Sequence, residues 1–164
     1  MSIPLRLSDY LDGHGARYDV RMHEHTGSSA ETARSANIPA NLLAKSVVLE
    51  DEAGYVLAVV PADRSVRIGR VAHLLGRKDL RLSDEDRLSS VFADCERGAV
   101  PPIGMAWGIE TVVDEQLEAG EIVYLEAGDH EQLLRMSRDQ FREIMGSAQH
   151  ASICRTKRRR LGSL

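Results

Sequence analysis

Apolar positions along the chain come in short blocks whose period switches between that of a helix and that of a strand. Within residues 4–14, Leu7, Tyr10 and Leu11 recur at helical spacing, and Gly13 and Gly15 stop the run. Over 17–23 the period is two, with Tyr18, Val20 and Met22 on one side, which predicts a half-buried strand. Ser28 followed by Glu31 has capping-box spacing and opens a short helix through Ala36. Beyond Pro39 two strongly apolar strands follow, 44–50 and 55–60, joined by an acidic turn that contains Gly54.

The second half continues the alternation. Val66, Val71, Leu74 and Leu75 suit a helix that Gly76 ends, and Leu80 and Leu82 a brief strand. Ser83 is expected to cap a helix with Leu88, Val91 and Phe92 on its inner face. A loop of small residues, 95–104, leads to strands at 109–113, 121–125 and 133–136, and Ser137 caps a last helix through Phe141, Ile144 and Met145. Interleaved strands, helices and hairpins with no internal repeat predict an α+β fold around a mixed sheet. Residues 1–150 read as one domain. Residues 152–164 hold Arg155, Lys157, Arg158, Arg159 and Arg160 and little to bury, so 151–164 reads as a flexible basic tail.

Size and composition narrow the classes. At 164 residues the chain is one ordinary domain, and 43% apolar with 28% charged residues is a globular composition. No run reaches the length of a membrane span and the start lacks a signal-peptide layout, so no membrane partner is expected. Two cysteines without a CxxC pair suggest a reduced, cytoplasmic setting and no structural zinc. A net charge of −4 argues against a protein that coats nucleic acid, and no DNA partner is expected.

Three groups of residues invite chemistry. Lys45 is one of only three lysines among eighteen arginines. At the mouth of a strand its ammonium can anchor an oxyanion or a phosphate, or simply discourage sheet aggregation, and spacing alone favours the latter. Gly98-Ala99-Val100-Pro101-Pro102-Ile103-Gly104 is a stiff turn able to offer backbone N–H groups, or a plain connection. His23, His25 and His130 raise a metal hypothesis, which HxH without a third ligand leaves weak; Thr26, Ser28, Ser29 and Glu31 after His25 describe a helix start. There is no GxSxG elbow, no phosphate-binding GxxxxGK[ST] loop and no GxGxxG. Cys95 is better read as a small buried hydrophobe than as a nucleophile.

Taken together, three blocks resemble the YbaK-type family, related to the editing domain inserted in bacterial prolyl-tRNA synthetases. They are His25-Thr26 through Glu31-Thr32-Ala33 with Lys45-Ser46-Val47-Val48-Leu49; Tyr55-Val56-Leu57-Ala58-Val59-Val60-Pro61 with the helix at 71–75; and the 98–104 loop with Val113-Asp114-Glu115 and Ala127-Gly128. Their order and spacing match over roughly residues 5–146. The resemblance implies a barrel-like mixed sheet flanked by helices, no cofactor and no metal, and hydrolysis of mischarged aminoacyl-tRNA. Its partners would be the 3′ end of the tRNA and a synthetase.

In such a reading Lys45, Gly98, Ala99 and Val100 carry the catalysis. Ser46, His25, Pro101, Pro102, Ile103, Gly104 and His130 shape the substrate pocket, His130 as the histidine after the late glycine. An aminoacyl ester is already activated, so backbone amides and an ammonium that polarise the carbonyl can suffice, with the tRNA's own hydroxyl placing the water. Val47, Val100 and Ile103 are candidate walls, and Arg64, Arg67, Arg70, Arg77, Lys78 and Arg81 a candidate grip on tRNA or a solvated surface. The rivals are a non-catalytic binding module and a metal hydrolase built on His23, His25 and His130.

Overall fold

The computed structural model describes residues 3–155. Among these, eight strands form one mixed sheet. The central pair is β2 (Leu43–Asp51) and β3 (Gly54–Pro61), antiparallel across a turn where Gly54 takes φ +127°. β2 is also joined by β6 (Ile122–Glu126), parallel, and by the two-residue β4 (Arg81–Leu82), antiparallel. β3 pairs in parallel with β5 (Glu110–Asp114), and β5 in parallel with β8 (Gln149–Ala151). On the other side β6 pairs with β7 (Gln132–Ser137), and β7 with β1 (Asp19–Met22). The ladder therefore runs β1-β7-β6-β2-β3-β5-β8, with β1 and β8 at its ends.

Successive residues of the central pair join opposite cores, as the alternation of strand side chains requires. From Ala44 to Leu49 the even positions face the larger core: Ala44 and Val48 pack there with Leu57 and Val59, beneath α1 (Leu5–Gly13) and α5 (Arg138–Ile144). The odd positions face a second core in which Leu49, Val56, Ala58 and Val60 meet Val71 of α3 (Ile68–Leu75). α2 (Ser29–Ser35) covers a third, smaller cluster around Leu43 and Leu133.

The caps follow the sequence in two cases and move in a third. Ser28 Oγ accepts from Glu31 N (3.2 Å) while Glu31 Oε2 accepts from Gly27 N (3.0 Å), and Ser137 Oγ accepts from Gln140 N (3.1 Å). α4 (Glu85–Val91) is capped by Asp84, not Ser83, because the Asp84 carboxylate takes the Asp86 amide at 2.8 Å. β1 is exposed along its length, not half-buried; it is an edge strand with nothing packed on its outer face.

The fold also extends past residue 150. Buried Asp114 needs donors, and Oδ2 takes the amides of Ile153 (2.8 Å) and Cys154 (2.9 Å). Cys154 bridges Val66, and Arg155 N donates to Ser65 O (2.7 Å). Residues 152–155 thus belong to the domain, and the rest of the basic run lies outside the described residues. No helix among the described residues is long and apolar enough to cross a membrane.

Candidate functional site

A cavity of about 280 Å³ opens between β2, α4 and the loop after α4. Ser46, Val47 and Val48 line one side; Leu82, Leu88 and Phe92 make an apolar wall; Cys95 to Gly98 and Val100 close the third. Phe92 is braced by Trp107, ring centroids 5.4 Å apart. Burial, with the Asp94 charge beside it, pushes the Cys95 thiol up to about 12, so it stays a thiol and not a nucleophile.

The loop is a turn with a defined central peptide. Ala99 N donates to Glu96 O (3.1 Å), and Gly98 has φ +76°, the value that position i+2 of a type II turn requires. A side chain at Gly98 would meet His130 Nε2 at 3.2 Å and Gly27 O at 3.5 Å, so glycine is demanded by both angle and space. Ser46 Oγ donates to Val100 O (2.7 Å) and ties the strand to the loop. Ala99, Pro101, Pro102, Ile103 and Gly104 are buried behind this surface and do not line the cavity. Their part is support: a Cβ on Gly104 would lie 2.2 Å from Thr111 Oγ1.

Two of the three histidines come together. His130, buried at the left-handed φ of +57°, donates from Nε2 to Arg97 O (2.5 Å). His25 Nε2 pairs with Glu96 Oε2 (2.6 Å), and that carboxylate raises the imidazole's pKa. Their rings stand edge to face, 6.1 Å apart. His23 turns elsewhere, its Nδ1 on Glu24 O (2.7 Å). Among the described residues no three His, Cys, Asp or Glu side chains converge as metal ligands.

Lys45 stands on the other face of β2. Neighbouring strand residues point to opposite sides, so with Ser46 on the cavity Lys45 looks toward α3. Its Nζ donates to Arg64 O (2.8 Å); burial lowers its pKa and the charge of Asp63 partly opposes this. Lys45 is not among the residues that line the cavity. The Arg64 guanidinium reaches Arg155 O (3.4 Å), and Arg155 in turn borders a depression of about 440 Å³ with Arg67, Arg70 and His73. Arg77 does not join this surface. It grips Asp51 with two nitrogens, Nε to Oδ2 at 2.7 Å and NH2 to Oδ1 at 2.5 Å, and that pairing holds Asp51 down to about 2. Arg81 lies in β4, its backbone in register with Glu50 of β2.

The family model of the aminoacyl-tRNA editing domain matches residues 23–144, which include every residue lining the cavity. The chain belongs to this family. The editing domain is 27% identical over 86 residues to a proline–tRNA ligase of Lactobacillus gasseri, a stretch that is 52% of this chain and 15% of the ligase. It is 30% identical over 98 residues to the corresponding enzyme of Lactobacillus delbrueckii subsp. bulgaricus, 59% of this chain and 17% of that one. The domain thus spans less than a fifth of the length of these curated relatives. A crystal structure described as "a putative trans-editing enzyme for prolyl tRNA synthetase" superposes with a TM-score of 0.79 at 22% identity, covering 94% of this chain and 100% of that one. That likeness shows a shared fold.

Sequence reasoning named Ser46, Val47, Gly98 and Val100 of the lining. It assigned Leu88 and Phe92 to a helix's inner face without seeing that this face borders a cavity. Leu82 reads as part of a brief strand and Ser83 as a helix cap, but that these two and Glu96 border a cavity depends on β4 and the turn at 96–99, which acquire their places through long-range pairing.

Proposed function

We propose that this editing domain is a trans-editing deacylase that hydrolyses the ester of mischarged aminoacyl-tRNA. The observation that carries the reading is one cavity shared by β2, the apolar face of α4 and the Gly98 turn, all inside the region that marks the family. At about 280 Å³ it lies just below the usual range for drug-sized ligands, which suits a small acyl group. Selectivity then comes from exclusion: Leu88, Phe92 and Val100 turn away a bulkier, correctly charged amino acid.

Chemistry in this site needs no protein nucleophile. Water attacks the activated ester carbonyl, charge grows on the carbonyl oxygen, and the N–H groups of Gly98 and Val100, the two cavity-lining residues of the turn, receive it. The leaving group is the ribose hydroxyl of the terminal adenosine, and the neighbouring hydroxyl of the tRNA places the water. Lys45 takes the second of its two expected roles. Beside Arg64, Arg67, Arg70 and Arg155 it holds phosphates of the tRNA end, while the oxyanion is met by backbone. An otherwise acidic domain with one cationic face binds RNA weakly and gains affinity from a synthetase partner. The trans-editing description of the structural neighbour and the prolyl-tRNA ligase relatives favour such an arrangement.

The test is a panel of mischarged tRNAs incubated with the native domain and with Lys45→Ala. Turnover of tRNAs bearing small amino acids is expected, with Lys45→Ala raising KM about tenfold and leaving kcat within a few fold. No turnover of any member would make the protein a non-catalytic binding module. Equal kinetics for both proteins would remove Lys45 from tRNA binding.

A further inference from the structure

Glu126, the last residue of β6, is 1% exposed and plays no part in the scheme above. Its Oε1 lies 3.8 Å from Nδ1 of His130, which is equally buried. Neither Glu126 oxygen nor His130 Nδ1 has a hydrogen-bond partner of normal geometry, and all three are sealed from solvent. On its other side the imidazole is fully engaged, with Nε2 on Arg97 O. Arg97 and Gly98 are the two central residues of the turn, and the peptide between them is the one that rotates when a type II turn becomes type I.

We propose that Glu126 is a positioning residue which, through His130, holds the Arg97–Gly98 peptide in the orientation that presents the Gly98 N–H to the cavity. A carbonyl oxygen can only accept, so His130 must carry a proton on Nε2 to hold Arg97. The peptide is planar and trans, so with its C=O on buried His130 its N–H points the opposite way. Gly98 lines the cavity and His130 does not. Nδ1 of that ring is then a buried lone pair 3.8 Å from Glu126 Oε1, and a small approach of the protonated carboxyl supplies the donor it lacks. One proton shared between Oε1 and Nδ1, on either atom, keeps Nε2–H in place. When solvent base removes that proton, the remaining imidazole proton moves to Nδ1 beside the carboxylate. Nε2 then turns a lone pair on Arg97 O, and the peptide is released.

The surroundings set where this happens. Burial raises the Glu126 carboxyl to about 7, the charge of Asp129 adds to this, and the Thr32 hydroxyl of α2 opposes it. Asp129, on the same turn, is kept ionised: burial works against it, but Gln132 Nε2 (2.6 Å) and the amides of Glu131 and Gln132 hold it below the ordinary range. Beyond the ring stand His25 and its partner Glu96. The two carboxyls of one turn are thus driven apart, one charged and one carrying the useful proton.

The catalytic consequence rests on the deacylase reading; the peptide orientation is tested without it. In 15N-glycine-labelled full-length protein, the Gly98 amide signal is followed from pH 5.5 to 9. It is expected to move with a midpoint near 7 in the native chain and to stay at its low-pH position in Glu126→Gln, whose amide still donates to Nδ1. A Gly98 signal that titrates alike in both, or in neither, overturns the proposal. Should Glu126→Gln not fold, the ring nitrogens of His130 in the native chain decide, by long-range 1H–15N correlation. The proton belongs on Nε2 below the midpoint and on Nδ1 above it, and a proton on Nδ1 throughout overturns the proposal. In deacylation, kcat of the native domain falls about tenfold across the same midpoint with KM unmoved, and Glu126→Gln abolishes the fall. If no aminoacyl-tRNA is hydrolysed at all, the deacylase reading fails while the two spectra still judge the role of Glu126.

Discussion

Ser46 and Lys45 are neighbours on β2 and look onto opposite surroundings. On the Ser46 side are a small cavity, apolar walls and a turn whose polar offering is its own peptide groups. On the Lys45 side are arginines, an open depression and a bonded but charged ammonium. The first face is rigid, because each of its parts is fixed by a second: Ser46 by Val100 O, Gly98 by His130, Phe92 by Trp107. The second consists of long side chains that still have solvent to move in. On the proposed reading, such a division lets one strand separate the reaction from the grip. Chemistry needs groups placed to within tenths of an ångström, whereas phosphate binding needs charge at roughly the right distance.

The comparison breaks most sharply at Gly98. Gly98→Val places a branched side chain at φ +76° and against His130, so the turn must rearrange. Loss of one oxyanion donor costs about 10²–10³ in rate. Single-turnover deacylation of Gly98→Val should show this in kcat, with tRNA affinity intact. An unchanged kcat would mean that the turn does not meet the oxyanion.

The cationic face should respond in the opposite way. Replacing Arg67, Arg70 and Arg155 together by Gln should weaken tRNA binding by one to two orders of magnitude at low salt. It should also flatten the plot of log affinity against log salt by about two to three. Binding of uncharged tRNA, followed by fluorescence anisotropy over a salt series, measures both. A slope equal to the native one would show that phosphates lie elsewhere.

A third effect sharpens the contrast instead of breaking it, and is read in stability. Glu126 is raised in the folded protein to about 7 from an ordinary 4.5. Its contribution is therefore fully present below pH 4.5 and is lost as pH rises through 7. At about 1.4 kcal/mol per pH unit, the native domain should lose roughly 3 kcal/mol relative to Glu126→Gln between pH 4.5 and pH 8. Urea unfolding of both proteins at the two pH values gives the difference. Parallel curves would show that the carboxyl ionises freely in the fold.

Much of the fold was legible because local pattern and tertiary role agree. The two apolar strands that became β2 and β3, the caps at Ser28 and Ser137 and the helix ended by Gly76 are all present. What could not be read depends on partners distant in the chain. β8 is three residues long with little apolar content, and it exists because β5 offers it an edge. The tail's first residues are held by a buried carboxylate nearly forty positions earlier, a bond no composition can announce.

The candidate site was legible to the same depth. That Lys45 and Ser46 face opposite ways follows from the strand, but which face meets the loop does not. Six cations in one stretch looked like one surface until Asp51 claimed Arg77. Glu126 closes an apolar strand before a Gly-Asp turn and reads as a solvated end; only coordinates reveal that it is walled in.

β2 finds its hairpin mate at once, since β3 follows after two residues, but its parallel neighbour β6 and the histidine that steadies the Gly98 turn are made some eighty positions later. A nascent chain leaving the ribosome therefore carries Ser46 and Gly98 well before it has His130. The Gly98 turn has its full support only once 122–137 is paired with the hairpin. A stalled or truncated product lacking that segment would keep Arg64, Arg67 and Arg70 but lose both Arg155 and the histidine that steadies the Gly98 turn.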